Sequence, residues 1–230
     1  MLTKTPGIVL TYLKYKESSI IVNVYTEELG LQSYIINGVR SSRSKRNKIA
    51  LYQPLTLLDL VVYYKEKSSL QRISEAKCAF PFRSIPLNTH KATIALFLVE
   101  VLGKTLKEQE ANPPLFKFLW ESLVYFDQLE HNVENFHLIF LIRLTQYLGF
   151  APESFAEIRT QIGTHSFIHQ VQPHEQQLID HLLKADFEHE FALNGATRQR
   201  ILQILLHFYD WHIEHFLPIK SLSVLNQVFS

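Results

Sequence analysis

Cysteine is nearly absent from these 230 residues, with Cys78 standing alone. A disulfide framework and a cysteine-based zinc finger are both excluded, and so is the secreted miniprotein class; a reducing compartment is expected. Long apolar runs are missing as well. The best stretches, residues 94–102 and 136–144, carry Glu100 and Arg143 and fall short of the roughly 18 apolar residues that a membrane span takes. Lys4, Thr5, Pro6 and Gly7 interrupt the N-terminus where a signal peptide would carry its apolar core. The chain therefore reads as cytoplasmic, with no membrane partner. An excess of one charge is also lacking, since 23 Lys and Arg oppose 22 Asp and Glu for a net +1. That sum hides two halves. Residues 1–80 hold 12 basic and 6 acidic side chains, and residues 81–230 hold 11 and 16. Such asymmetry points to a negatively charged partner, nucleic acid or membrane surface, for the N-terminal part.

What is present divides at about the same place. Residues 7–13, 19–26, 31–37, 55–64 and 70–79 are short runs rich in β-branched and aromatic residues, separated by polar turns. Five strands with one longer connection between the third and fourth suit a small closed barrel of the OB type, because closure removes exposed edges. Beyond Pro81 and Pro86 the apolar spacing becomes helical, as at Ile94, Phe97, Leu98, Val101 and Leu102. Further helices are expected over residues 115–129, started by Asn112 and two prolines, and over 135–148, ended by Gly149 and Pro152. Residues 151–172 look irregular. Helices resume over 173–185 and 197–216, and a short one closes the chain through Leu222 and Leu225. The predicted fold class is α+β in two domains, an OB barrel over 1–80 and an all-α domain over 81–230.

Catalytic chemistry is mostly absent. Gly103, Lys104 and Thr105 match the end of a phosphate-binding loop, but the glycine needed five residues earlier is Leu98. His174 and Glu175 begin a zinc-protease motif whose second histidine is replaced by Leu178. All 11 histidines lie in the helical part, where His165, His169 and His174, or His207, His212 and His215, invite reading as ligands. Scattered core and surface histidines explain them more simply, so no metal and no cofactor are assigned. Glu188 and Glu190 flank His189, but nothing completes an acid and base pair.

The basic segment is the clearest signal. Arg40, Arg43, Lys45, Arg46 and Lys48 lie among serines, and no acidic residue occurs between Glu28 and Asp59. Five cations in nine residues would neutralise several phosphates, and the serine hydroxyls would add hydrogen bonds to phosphate oxygens. The plain alternative is a solvated loop. Tyr25, Tyr34, Tyr52, Tyr63 and Tyr64 lie on or beside the barrel, where exposed rings would stack on bases, although some must be core. Tyr34 and Tyr52 are grouped with the cations as DNA-binding candidates, as are Lys14 and Lys16 in the connection between the first two strands. In the helical part, Arg143 is the one charge on an otherwise apolar helix. An apolar peptide ending in a free carboxylate would suit such a cation; an internal pair with Glu100 or Glu121 is the alternative.

Residues 7–10, 17–22 and 25–27 with Gly30 and Leu31, then Gly38 to Arg40 and Gln53 to Leu55, are similar to the RecO family of DNA repair and recombination mediators. The resemblance continues through Leu148, Gly149, Phe150 and Pro152 and ends at residues 219–225, with Lys220, Ser221 and Leu222. It implies an N-terminal OB domain binding single- and double-stranded DNA, a helical C-terminal domain and a non-enzymatic role at the bacterial nucleoid. It also implies strand annealing and, with RecR, loading of RecA onto DNA coated by single-strand-binding protein. That coating protein's acidic, apolar tail is then the candidate ligand for Arg143. Many members carry a four-cysteine zinc site after the Gly-Phe-Pro-like element; residues 151–172 here contain no cysteine. The competing class is a protein-binding scaffold whose basic loop is only solvated.

Overall fold

The computed structural model describes residues 1–39, 48–66 and 68–229, with only the backbone of Lys48. Five strands form a closed barrel in the order β1-β2-β3-β5-β4: β1 (Leu2–Tyr15), β2 (Ser19–Thr26), β3 (Gly30–Ile36), β4 (Leu57–Tyr63) and β5 (Gln71–Phe80). Alternation in β2 sends Ile20, Val22 and Val24 inward, and they meet Val9, Tyr34, Leu58, Leu60 and Val62 in the barrel core. β1 makes closure possible, since residues 2–8 pair with β4 and residues 7–15 with β2. At the overlap stands Gly7. A Cβ there would come within 2.7 Å of Val24 and 2.9 Å of Leu60, so the crossing excludes larger side chains.

Among the described residues seven α-helices follow: α1 (Thr89–Thr105), α2 (Pro113–Gln128), α3 (Phe136–Leu148), α4 (Phe155–Gln161), α5 (Pro173–Leu182), α6 (Gly195–His212) and α7 (Leu222–Phe229). Among the described residues no helix is long and apolar enough to cross a membrane. Their ends obey local chemistry. Asn112 Oδ1 accepts from the Leu115 amide and Asn194 Oδ1 from the Thr197 amide, while Gly149 ends α3 in the left-handed region at φ 83°. The segment expected to be irregular contains α4 and a 3-10 turn, Ser166–Gln170. Ser154 and Glu157 start α4, with the serine side chain accepting from the Glu157 amide and the Glu157 carboxylate from the Glu153 amide. That serine-to-glutamate spacing is a readable start signal.

The chain forms two compact units, residues 1–87 with 101–127, and residues 88–100 with 128–230. In the first, the barrel shares its unit with α2. The rings of Tyr25 and Phe116 stack at 6.3 Å, and the Leu31 amide donates to the Glu108 carbonyl at 2.9 Å, so segment 108–116 covers the β2–β3 turn end of the barrel. In the second, α3 is the central element. Phe136, Leu138, Phe140, Leu141 and Leu144 are all buried, and the Tyr209 hydroxyl on α6 donates to the Leu141 carbonyl at 2.7 Å.

Candidate nucleic-acid interface

The barrel end opposite α2 carries the β1–β2 and β4–β5 turns, the two loops that OB folds commonly use with the β2–β3 face for polynucleotides. β1 runs further than expected, so Lys14 sits on the strand opposite Ile20, and only Lys16 lies in the turn proper, at φ 52°. Both are exposed, and the Lys16 ammonium stands 5.4 Å from the centre of the Tyr15 ring. The β4–β5 turn is fixed from within by Gln71, whose side chain accepts from the Lys65 amide and donates to the carbonyls of Lys65 and Ser68. The Ser19 hydroxyl donates to Asn37 Oδ1 at 2.9 Å, joining the start of β2 to the exit of β3, from which the basic segment departs.

Arg40, Arg43, Lys45 and Arg46 lie outside the described residues, and Lys48 opens a 3-10 turn, Lys48–Tyr52, with its side chain also outside them. Two of the proposed stacking rings are corrected. Tyr34 is fully buried and Tyr52 is 6% exposed, both within the barrel core. Burial raises both phenol pKa values, with Tyr64 adding to the effect on Tyr34, whose hydroxyl has no hydrogen-bond partner among the described residues. Neither ring can reach a base. Tyr34 pairs with Val22 and so shares its inward face; once the tight β2–β3 turn sets the register, that orientation follows. Tyr25 is buried too, whereas Tyr63 and Tyr15 point outward.

In the helical unit Arg143 is half-buried on α3, one turn before the exposed edge of Tyr147. Among the described residues no ion pair joins Arg143 to Glu100, the expected partner that shares its unit. The Glu100 carboxylate accepts from the Lys220 and Ser221 amides and the Ser221 hydroxyl, and Glu121 faces Lys117 at 3.8 Å. Among the described residues no hydrogen bond or ion pair reaches the Arg143 guanidinium in the second unit. The apolar positions of α3 are core rather than the wall of an open groove, which corrects that expectation. An open cleft of about 540 Å³ lies instead between α6 and α7, with Leu206, Leu217 and Leu222 beside Arg200 and His207. Arg200 contributes to it while its Nη1 holds Glu175 at 3.1 Å.

The histidines pack as rings. His165 and Phe167 lie 4.5 and 4.9 Å from His207, and Phe150 lies 4.5 Å from His212. Among the described residues no group of three or more His, Cys, Asp or Glu side chains is placed to hold a metal ion. Gly103 lies inside α1, away from any strand-to-helix loop.

Residues 1–82 match the family model for the recombination protein O N terminal and residues 87–223 that for its C terminal. The chain belongs to the recombination protein O family. Among its relatives are proteins named DNA repair protein RecO from Flavobacterium psychrophilum, Bacteroides fragilis and Phocaeicola vulgatus, 38%, 37% and 36% identical. Each alignment covers all of both chains. The barrel-then-helices layout agrees with the two halves of the RecO family models.

Proposed function

We propose that this chain is a non-enzymatic mediator of DNA repair by recombination, which binds single- and double-stranded DNA and anneals complementary strands. The single observation that carries the reading is the family membership across both halves, joined to a sequence segment whose five cations have no acidic neighbour. Two bare strands repel each other. A basic surface that holds both lowers that repulsion and raises their effective concentration, so annealing needs no bond chemistry. Arg40, Arg43, Lys45, Arg46 and Lys48 are the proposed phosphate contacts, with Lys14 at the end of β1 and Lys16 in the β1–β2 turn extending the track. The protein acts in the cytoplasm at the nucleoid. It works with RecR to help load RecA onto DNA coated by single-strand-binding protein, whose tail is recognised by the helical unit through Arg143.

The test is anisotropy of labelled single-stranded DNA across a salt series, with Arg43, Lys45 and Arg46 changed together to alanine. Affinity should fall steeply with salt in the wild type and less steeply in the variant, because each lost phosphate contact reduces the slope. Absence of binding at low salt would favour the protein-scaffold reading, to which the burial of Tyr34 and Tyr52 already lends weight.

A further inference from the structure

Directly opposed residues of neighbouring strands share one face of a sheet, so pairing registers can be followed around a closed barrel. Leu13 faces Ile21, Ile21 faces Ile35, Ile35 faces Arg72, Arg72 faces Tyr63, and Tyr63 faces Leu2. One continuous row thus crosses all five strands. It points outward, because its neighbours Val22, Tyr34, Gln71 and Val62 are buried. Leu13 is 64% exposed, Leu2 55% and Tyr63 51%, and Ile21 and Ile35 are half-buried. The adjacent outward row is different. There Thr11, Asn23 and Ser33 form a polar ladder, with Asn23 donating to the Thr11 hydroxyl at 3.0 Å and the Ser33 hydroxyl to Asn23 at 2.7 Å.

The apolar row is therefore a connected strip and not a scatter of surface residues. Its charges are mainly of one sign: Arg72 stands within it, Lys14 and Lys16 follow Leu13, and Lys65 follows Tyr63, against Glu17 and Glu66. A partner for it needs flat apolar faces and a negative backbone. An unpaired polynucleotide has both, whereas a duplex keeps its base faces stacked inside and presents only edges and phosphates.

We infer that this strip is a base-stacking track that makes the protein distinguish unpaired from paired DNA. Tyr63 takes a base face, Leu13, Ile21 and Ile35 support the following bases, and Arg72 holds the intervening phosphate. The inference rests on the DNA-binding reading, but it assigns strand-state selection to a surface separate from the basic segment. Phosphate contacts there serve both kinds of DNA; the strip serves one.

The experiment compares Tyr63→Ala, Tyr63→Phe and Leu13→Ser with wild type in the full chain. The probes are a labelled single strand, a hairpin duplex of equal phosphate count and an oligonucleotide of abasic sites. Tyr63→Ala should lose about tenfold in single-strand affinity, the scale of one stacking contact. Its duplex and abasic affinities should stay within about twofold of wild type, and Tyr63→Phe should restore the loss. Circular dichroism checks the fold, and Leu13→Ser, on another strand, carries the same test if Tyr63→Ala does not fold. Unchanged single-strand binding, or an equal loss on all three probes, overturns the strip while leaving DNA binding by the basic segment standing. Unchanged DNA binding with loss of an acidic protein partner overturns it equally. A wild type that binds none of the probes overturns both readings.

Discussion

The Phe150 ring lies flat on His212, 4.5 Å between centroids and 9° between planes. Phe150 begins the segment that follows α3, and His212 ends α6. The same histidine bonds Gln161 on α4 through Nε2 at 2.7 Å, and His207 takes His165 and Phe167 against its ring. Aromatic packing thus holds residues 150–170 to α6. Prolonged treatment with a chelator should leave the melting temperature unchanged. Phe150→Ala should cost about 2 kcal/mol in a urea titration, less than a fully buried phenylalanine because the ring is half-exposed. It should also raise hydrogen exchange across α4. A large chelator effect would contradict this account.

Asp127 organises the start of the connector after β5. Its carboxylate accepts from the amides of Arg83, Ser84 and Ile85, each at 2.9 Å, and is 5% exposed. Burial pushes its pKa upward, but those amides and the Ser84 hydroxyl outweigh burial, so the carboxyl titrates below its ordinary range. The folded value lies under the unfolded one near 3.8. Its stabilisation is therefore complete above the unfolded pKa and is lost as pH falls through the folded one. Asp127→Ala, which leaves three amides unsatisfied, should cost about 3 kcal/mol at pH 7. The gap between variant and wild type should narrow below about pH 4, as read from urea titrations at several pH values.

His137 presents the opposite case. It is buried on α3, edge-on to Phe97 at 5.8 Å, and among the described residues neither ring nitrogen has a hydrogen-bond partner. Burial, and then the Arg198 charge, push its pKa down to about 3; the Glu134 carbonyl pulls weakly upward without hydrogen-bond geometry. Arg198 itself is held by Asn135 Oδ1 at 3.0 Å and by the Leu193 carbonyl at 2.9 Å, so the cation is anchored beside the imidazole. The unfolded state takes up a proton near pH 6.5 that the folded state refuses. Stability should therefore decline from pH 6.5 downward, by up to about 1.4 kcal/mol per pH unit from this group. His137→Leu should flatten that decline between pH 7 and 5. An identical pH dependence in the two proteins would contradict the assignment.

Much of the fold is legible in the sequence because periodicity reports it directly. The five strands and most helices follow from alternation, turn residues and caps such as Asn112 and Gly149. β1 extends beyond the expected 7–13 at both ends; on the N-terminal side it runs through Pro6, since proline removes only an N–H and the Pro6 carbonyl still accepts from Glu27. α4 went unread although Ser154 and Glu157 announce it. The site was less legible. A period of two separates the faces of a strand without saying which faces inward, so Tyr34 and Tyr63 look equally available until closure and register decide. The outward strip is assembled from five strands, and no local window contains it. Arg40, Arg43, Lys45 and Arg46, the strongest signal in the sequence, fall outside the described residues.

The proposed recognition of a partner's acidic tail has two candidate cations in the helical unit. Arg143 is half-buried with Tyr147 one turn away, while Arg200 lines the cleft between α6 and α7 and already holds Glu175. A guanidinium with no carboxylate partner among the described residues of its own unit can give both donor pairs to an incoming carboxylate, whereas Arg200 would have to exchange or share Glu175. A labelled peptide with acidic residues, an apolar last side chain and a free carboxylate should therefore bind wild type and lose about tenfold in affinity with Arg143→Ala. That corresponds to about 1.4 kcal/mol, within the range for a charge-assisted contact on a partly exposed cation. Amidating the peptide's terminal carboxylate should have a similar effect on wild type and little further effect on the variant, since both changes remove the same contact. If Arg200→Ala weakens binding and Arg143→Ala does not, the tail lies in the α6–α7 cleft and the Arg143 assignment is wrong.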